Sequence, residues 1–536
     1  MGKSTLMSML QRSYRIAQTS IETGIPVTEL VDMFKHKTTR RRFIYSGLGI
    51  VSAIAAATWH DGNNQIAAAA VPKVLIVGAG IAGLTAGYRL KQAGVPVDII
   101  EARNRVGGRI YTARNVGGTG IYADIGGEFI DTTHTSLRRL ARELNLETVD
   151  LYTADQKLAP SIRYYQGRKI EDTEVAEWNI PLVKKVKQDL AVLGNVSLDS
   201  VNTINYRTRN PIAIKLDNTS ISEYLEQAQI NPILNQLLQN AYTGLYGREA
   251  AEQSCLNMLL FIGTNGEGLN ITGDSDERYQ IKGGNDQIPT LLAKALTNSI
   301  ETGTELEAIT TQPDGRYQVS IRAGNRTFEK IYERVLLALP YTTLRAVALN
   351  IDLPPLKQKA IGELGYGTNS KLITAYKERI WRTRYKSTAF VSTDLGFGYT
   401  WEATRNHRSI PGIITNFTGG KQGFAIGNGA AESQAQKFLS QLEQIFPDIS
   451  SYRQGNALRA YWTGEEYTQG SYACYLVGQW TGISGVEQQS VDNIFFAGEH
   501  CSQKFQGYME GGCRTGEIAA RNILFSLGLK PSQIPK

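Results

Sequence analysis

The sequence holds few of the residues that build metal sites and disulfide frameworks. Its 536 residues include four cysteines and five histidines. The cysteines form no CxxC pair or metal-type cluster, and His134, His407 and His500 have neither metal nor catalytic-triad spacing. We therefore expect no metal site and buried free thiols, with one disulfide as the alternative if the chain is exported. Internal repeats are absent as well.

A strong charge imbalance is also missing from most of the chain. The formal net charge is +7, and more than half of it falls within the first 70 residues. The remaining body is close to neutral for its length, which gives no support to a nucleic-acid partner. The apolar stretch over residues 44–57 is shorter than the roughly 20 residues that a membrane-spanning helix needs, so we expect no stable span in the mature chain.

The first 70 residues show the order of features of an export leader. Residues 39–44, TRRRFI, resemble the twin-arginine export signal, the apolar stretch follows, and the four alanines at 67–70 are typical of a cleavage site. We expect residues 1–70 to be a leader and the mature protein to lie in the periplasm or an equivalent compartment. An amphipathic helix is expected around residues 7–16, with no role assigned to it.

Glycine, in contrast, is abundant, at 53 residues. Its clearest use is at the start of the body, where an apolar strand over 73–77 runs into the motif GAGIAG at 78–83. A helix to residue 93 and a second strand over 97–100 follow. This strand–glycine turn–helix–strand order is the dinucleotide-binding fingerprint in its full structural context.

Each position of the fingerprint has a physical task. Gly78 allows the tight turn, Gly80 lets backbone N–H groups reach a pyrophosphate, and Gly83 permits close helix–strand packing. Glu101, at the end of the second strand, can accept hydrogen bonds from a ribose hydroxyl.

The residues after the ribose acid favour FAD over NAD. Residues 101–109, EARNRVGGR, resemble the signature of one flavoprotein superfamily. Further segments resemble the flavin-containing amine oxidases, which include monoamine, polyamine and L-amino acid oxidases. These segments are 124–129, 283–286, 304–307, 336–340, 495–499 and 507–511, and with their neighbours they cover residues 72–527.

This resemblance implies an FAD cofactor and a set of residues that contact it. The cofactor should be noncovalent, because Ser471 stands where monoamine oxidases carry the cysteine that attaches the flavin. The implied cofactor-binding residues are Gly78, Gly80, Ile81, Ala82, Gly83, Glu101, Ala102, Arg103, Gly108, Arg109, Gly127, Glu128, Leu306, Gly498, Glu499 and Met509.

The resemblance also implies three catalytic residues for hydride transfer from the carbon beside an amino group to flavin N5. Lys371 matches the family lysine that holds a water near N5. Tyr472 and Tyr508 match the two walls of an aromatic cage, which can orient an amine through its π faces.

Two positions in the loop beside the flavin bear on the substrate. Several L-amino acid oxidases place a carboxylate-binding arginine where this chain has Phe129, which puts α-amino acid substrates in doubt. Glu128 is expected either to pair with a cationic substrate tail or to hydrogen-bond the flavin or the backbone.

The predicted fold class is α/β, with a Rossmann-like FAD-binding domain in discontinuous pieces and an α+β substrate domain. The FAD-binding domain is expected over 71–135, 275–345 and 488–527, and the substrate domain over 136–274 and 346–487. The first insert is expected to be helical, with a break near Pro232, and the second to be rich in strands. Residues 528–536 form a tail.

The leading functional prediction is oxidative deamination of a primary amine or an L-amino acid, with a basic side chain favoured by Glu128. The products are an imine and then a carbonyl compound, ammonia and hydrogen peroxide. The electron acceptor is oxygen or, in a dehydrogenase, a quinone. Two competing hypotheses are an enzyme similar to carotenoid desaturases or porphyrinogen oxidases, and a flavoprotein that only binds a partner. A homodimer is an open expectation.

Overall fold

The computed structural model describes residues 5–33, 71–155, 157–193, 204–262, 275–531 and 534. The twin-arginine motif, the apolar stretch after it and the alanine run lie outside these residues. In the part of the chain that is described, no helix combines the length and the apolar character that crossing a membrane requires.

The strands, numbered in chain order, are β1 Val74–Val77, β2 Val97–Glu101, β3 Thr112–Ala113, β4 Ala123–Asp124, β5 Thr148–Asp150, β6 Ile162–Tyr165, β7 Arg168–Lys169, β8 Tyr279–Ile281, β9 Ile300–Thr302, β10 Thr304–Thr311, β11 Tyr317–Ala323, β12 Arg326–Tyr332, β13 Arg334–Leu337, β14 Ala348–Asn350, β15 Ser370–Tyr376, β16 Val391–Thr393, β17 Tyr399–Glu402, β18 Gly412–Thr418, β19 Arg453–Tyr461 and β20 Ile494–Phe496.

The α-helices are Thr5–Thr23, Ile81–Gln92, Thr135–Glu143, Asp172–Trp178, Ile180–Leu193, Pro211–Asp217, Ile221–Gln227, Pro232–Tyr246, Leu256–Ile262, Gln287–Ala295, Tyr341–Leu344, Pro355–Glu363, Ile380–Thr383, Gly420–Ile426, Ala431–Leu442, Gln479–Gly482 and Met509–Ser526. Three of them are named below: the N-terminal helix (Thr5–Thr23), the dinucleotide helix (Ile81–Gln92) and the C-terminal helix (Met509–Ser526).

The first sheet is parallel, in the order β20-β13-β1-β2-β9. Its strands other than the edge strand β9 are short, largely apolar runs because both of their faces are covered. Val74 and Ile76 of β1 face the dinucleotide and C-terminal helices, whereas Leu75 and Val77 face the sheet β12-β11-β10-β14. The carboxyl ends of the parallel strands are therefore free to carry a nucleotide, as in other doubly wound sheets.

The third sheet has seven strands, in the order β19-β15-β18-β17-β16-β6-β7, and most of its pairs are antiparallel. Its strands β15 and β18 lie where the second insert was expected to be strand-rich. The predicted fold class is confirmed, with a parallel nucleotide-binding half and a mixed second half. The domain boundaries stay a prediction.

The expectation of a helical first insert is incomplete. Helices dominate it, and the predicted break near Pro232 falls between Ile221–Gln227 and Pro232–Tyr246, where Asn231 caps the second helix. The insert also supplies β6 and β7 to the edge of the seven-stranded sheet. These strands are very short, and their pattern did not stand out from the surrounding loop.

The N-terminal helix is packed onto the body rather than separate from it. It contacts the helices Asp172–Trp178 and Ile180–Leu193. Tyr14 and Ala17 belong to the core of the first insert, and Val31, further along the chain, is fully buried against the same helices. Apolar side chains between Leu10 and Val31 are therefore buried on the substrate half, whereas the leader assignment for residues 1–70 stays a prediction.

Candidate active site

One cavity, with a volume of about 600 Å³, runs from the carboxyl ends of the parallel strands to the face of the seven-stranded sheet. All the predicted cofactor-binding and catalytic residues line it except Gly83. Its size falls in the usual range for ligand sites. The structure thus brings together residues that lie up to several hundred positions apart in the sequence.

Glycine residues, which have no side chain, shape the nucleotide end of the cavity. Gly78 has φ of +102°, and a Cβ there would meet the Ala338 carbonyl oxygen at 2.7 Å. Gly80 is the N-cap of the dinucleotide helix and leaves the first turn without a side-chain cap. A Cβ on Gly80 would meet no protein atom within 4 Å, whereas one on Gly83 would meet the Gly78 carbonyl oxygen at 2.0 Å. Uncapped N–H groups beside open space fit a pyrophosphate.

Glu101 is held in place by backbone donors. Its Oε2 accepts from the Ala79 N–H at 2.9 Å, and its Oε1 accepts from the Arg103 N–H at 2.9 Å. Each carboxylate oxygen keeps a further acceptor site for a ribose hydroxyl. Further along the cavity, Thr304 to Glu307 of β10 form the wall that the resemblance assigns to the adenine.

Glu499 ties the nucleotide half to both tyrosine loops. Its Oε1 accepts from Arg109 Nη1 at 2.9 Å and from the Ala473 N–H at 3.2 Å, and its Oε2 accepts from the Gly507 N–H at 2.7 Å. Arg109 also donates to the Ser471 carbonyl at 2.8 Å. The residues next to Tyr472 and Tyr508 are thus anchored to one carboxylate by charge-assisted hydrogen bonds.

Lys371 is buried, and its ammonium group is bound to the protein. Nζ donates to Glu128 Oε2 at 2.7 Å and to the carbonyl oxygens of Asp124 and Gly126 at 2.9 and 3.0 Å. An ammonium has three protons, so these acceptors use all of its donors. A water held by Lys371, as the resemblance implies, would have to replace one of them. The water-holding role stays a prediction.

Glu128 is therefore the partner of Lys371. Its Oε1 accepts from Trp401 Nε1 at 2.9 Å and from Gln280 Nε2 at 3.4 Å. Neither of these partners of Glu128 is a backbone group, and Glu128 also lines the cavity, so its expected contact with a substrate tail or with the flavin stays a prediction. Strand β15 places Lys371 against the Glu128 loop.

The substrate end is walled by aromatic rings. Lys371, Phe417 and Tyr399 lie opposite one another across β15, β18 and β17, so their side chains share one face of the sheet. Tyr472 and Tyr508 line the same cavity, and Tyr472 donates its hydroxyl to the Leu245 carbonyl at 2.8 Å. Burial raises the pKa of both cage tyrosines well above the usual value, so both remain neutral phenols.

Several cavity-lining residues were missed from the sequence: Glu277, Tyr399, Trp401, Phe417 and Trp462. The alternation of Tyr399 and Trp401 on β17 was a usable signal of one shared strand face. Glu277 belongs to no family motif that we identified, and sequence alone gave no reason to select it.

His500 is a further cavity-lining residue that was not among the predicted site residues. It is buried and lines the cavity, and neither ring nitrogen has a hydrogen-bond partner among the described residues. Burial, with Arg109 and Lys357 nearby, lowers its pKa well below the usual value. A neutral imidazole open to the cavity is a further candidate for contact with the cofactor.

Together the fold and the site define a class: an oxidoreductase that binds a dinucleotide cofactor on a Rossmann-like half and places an aromatic substrate cavity beside it. Residues 81–524 match the family of flavin containing amine oxidoreductases. The chain belongs to this family. It is a flavin-dependent amine oxidase that uses FAD for the oxidative deamination of amines.

Similar proteins are spread over distant organisms. The chain is 26% identical to amine oxidase [flavin-containing] B of Homo sapiens over 470 residues, which are 85% of this chain and 87% of the relative. It is 25% identical to amine oxidase [flavin-containing] of Danio rerio over 86% of this chain and 87% of that one.

Solved structures share the fold. Cyclohexylamine oxidase from Brevibacterium oxydans has a TM-score of 0.73 at 21% identity, over 85% of this chain and all of that one. Putrescine oxidase bound to putrescine has a TM-score of 0.70 at 21% identity, over 85% of this chain and 99% of that one.

Two glycine substitutions should separate cofactor binding from folding. Gly80→Ala should leave the thermal stability of the cofactor-free protein unchanged but weaken FAD binding by about tenfold or more, because its methyl group would occupy the pyrophosphate position. Gly83→Ala should lower stability by roughly 1–3 kcal/mol through overpacking against Gly78. Thermal melts with and without added FAD, and the ratio of flavin to protein absorbance, measure both effects. Equal flavin content in Gly80→Ala and the parent protein would contradict the assignment.

Proposed function

We propose that the enzyme deaminates primary amines that carry no carboxylate beside the amino group. The supporting observation is the charge around Lys371, whose ammonium is already paired with Glu128. Phe129 stands where several L-amino acid oxidases have an arginine. The arginines that line the cavity among the described residues belong to the nucleotide half, namely Arg103, Arg109 and Arg322. Among the described lining residues, a substrate carboxylate would therefore find no cation at the substrate end that lacks a carboxylate partner.

In the proposed reaction, a primary amine, water and oxygen give an aldehyde or ketone, ammonia and hydrogen peroxide. FAD, when bound, accepts the hydride from the carbon beside the amino nitrogen. The aromatic walls exclude water and disfavour the charged form of the reacting amine, which must be neutral to lose a hydride. Tyr472 and Tyr508 orient the amine between them.

We propose that FAD is bound without a covalent link. Ser471 occupies the position of the attaching cysteine, and its hydroxyl donates to Asn369 Oδ1 at 2.7 Å. Cys474, three residues further, is fully buried and is not among the cavity-lining residues. Burial raises the pKa of the Cys474 thiol, which keeps it protonated and unreactive. Denaturation should therefore release all the flavin into solution, and flavin retained on the chain would contradict this.

Oxygen is the proposed electron acceptor, in keeping with the oxidase names of the relatives. A quinone is the alternative, and the two differ in their products. Oxygen use yields hydrogen peroxide in proportion to the amine consumed, whereas a dehydrogenase would turn over only when a quinone is added.

Simple amines should reduce the bound flavin. Under anaerobic conditions we expect phenylethylamine, putrescine or spermidine to bleach the flavin absorbance, and arginine and lysine to leave it unchanged at matched concentration. The physical reason is the absence of a carboxylate-binding arginine near Lys371 among the residues that line the described cavity. Bleaching by arginine or lysine but by none of the simple amines would overturn the proposed substrate class. If none of the five compounds bleached the flavin, the proposed function itself would be overturned.

Lys371→Met should slow flavin reduction by amines about 100-fold or more, since it removes the lysine that lines the substrate end of the cavity. It also leaves Glu128 buried without its cation, which should lower stability. The control is Lys371→Met combined with Glu128→Gln. This variant should regain thermal stability but not rate, and stopped-flow flavin reduction measures the difference. Flavin reduction at the parent rate in Lys371→Met would show that the lysine has no part in the reaction.

Export by the twin-arginine route is also proposed, from the order of arginines, apolar stretch and alanines over residues 39–70. Replacing Arg40 and Arg41 together with lysine should retain active enzyme in the cytoplasm, because the paired guanidinium groups are the recognised feature. Cell fractionation with amine oxidation as the readout measures this. Undiminished activity outside the cytoplasm would count against the proposal.

A further inference from the structure

A carboxylate that has no partner among the described residues lies on the wall of the substrate cavity. Glu277, which precedes β8, lines the cavity and exposes 6% of its surface. Within the described residues its carboxylate makes no hydrogen bond and no ion pair. Buried carboxylates are normally paired, because desolvating the charge is costly. The position therefore requires an explanation.

The backbone holds Glu277 in a fixed direction. Its N–H donates to Asp131 Oδ1 at 2.9 Å, and its φ is +44°, which is uncommon for a residue other than glycine. Asp131 is itself buried and lies 3.3 Å from His134 Nε2. Such a conformation persists only where the surroundings determine it.

The other acidic residues that line the cavity already have partners or lie in solvent. Glu128 is paired with Lys371, and Glu499 is paired with Arg109. Glu101 binds two backbone N–H groups, Arg322 binds both Glu305 and Glu307, and Glu466 is exposed. Glu277 is thus the buried acid of the cavity whose carboxylate has no partner among the described residues.

No cation of the described protein is placed to neutralise Glu277. Arg405 is close enough to influence it, but its guanidinium is bound to Asp155 and does not line the cavity. Burial, together with Asp131, raises the pKa of Glu277 to about 8. A bound cation would favour the ionised form.

Glu277 lines the same cavity as the two cage tyrosines. After burial, its charge contributes to the raised pKa of the Tyr399 phenol, and it acts on Tyr508 as well. Both rings line the same cavity as Lys371. A flexible diamine bound between the rings could therefore present one nitrogen to the cage and the other to this carboxylate.

We propose that Glu277 binds a second ammonium group of the substrate, so that the preferred substrates are diamines or longer amines with a cation at the far end. This deepens the proposed function and rests on it. The basic preference that the sequence suggested through Glu128 is assigned here to Glu277, since Glu128 is paired with Lys371. The ionised Glu277 carboxylate would also repel a substrate carboxylate.

The test compares putrescine with butylamine and cadaverine with pentylamine, pairs that differ only in the second amino group. The apparent Kd comes from the concentration dependence of anaerobic flavin reduction in the FAD-loaded enzyme. We expect the parent enzyme to bind each diamine about tenfold or more tightly than its monoamine. Glu277→Gln should reduce this ratio to near one, acting on Kd more than on the limiting rate.

Two further variants separate this role from a structural one. Asp276→Asn makes the same change of charge one residue away, at a side chain that accepts from Thr132 and does not line the cavity, so it should keep the diamine preference. Glu277→Asp keeps the carboxylate and should retain part of the diamine preference. Both comparisons remain readable if Glu277→Gln loads FAD poorly.

The outcomes distinguish this inference from the proposed function. If monoamines and diamines bleach the parent flavin with equal affinity, or if Glu277→Gln keeps the diamine preference, the role of Glu277 is wrong while amine oxidation stands. If neither kind of amine bleaches the flavin, the proposed function itself fails. A preference that is lost in Asp276→Asn as strongly as in Glu277→Gln would also overturn the assignment.

Discussion

The buried ion pair between Lys371 and Glu128 fixes where the two halves of the protein meet. Two charges inside a protein are tolerated only when geometry and further hydrogen bonds compensate their lost hydration. Here Lys371 also binds the carbonyl oxygens of Asp124 and Gly126, and Glu128 also accepts from Trp401. The nucleotide-half loop is thereby fastened to β15 and β17, and the cavity is the space that this junction leaves.

The Lys371–Glu128 pair has no net charge. The polarity and charge of the substrate end therefore depend on the other residues that line it. Neutral aromatic rings form most of its walls, and Glu277 is the lining carboxylate that has no partner among the described residues. An amine with a distant cation suits both features, whereas an α-amino acid suits neither. Substrate selectivity therefore depends on the aromatic walls and on Glu277 rather than on the Lys371–Glu128 pair.

Sequence reasoning was strongest where function depends on local backbone geometry. The tasks of Gly78, Gly80 and Gly83 follow from spacing alone, and the distances agree with them. It was weakest where contacts join distant strands, as for Glu277 and Tyr399. The start of the C-terminal helix at Met509 is also hard to predict from the sequence. Glycines at 511, 512 and 516 signal a helix breaker, yet their missing side chains allow close contact with the dinucleotide helix and the loop at Phe505.

The cofactor site and the substrate walls are built as one unit, which follows from Glu499. This carboxylate stands just after β20, at the carboxyl edge of the parallel sheet, and binds Arg109 on the nucleotide side. Its other bonds hold the N–H groups of Ala473 and Gly507, each adjacent to a cage tyrosine. A displacement of the nucleotide-side segment at Arg109 would therefore shift Tyr472 and Tyr508 as well. Positioning of the amine depends on the same bonds that shape the dinucleotide site, even though the two are formed by different sheets.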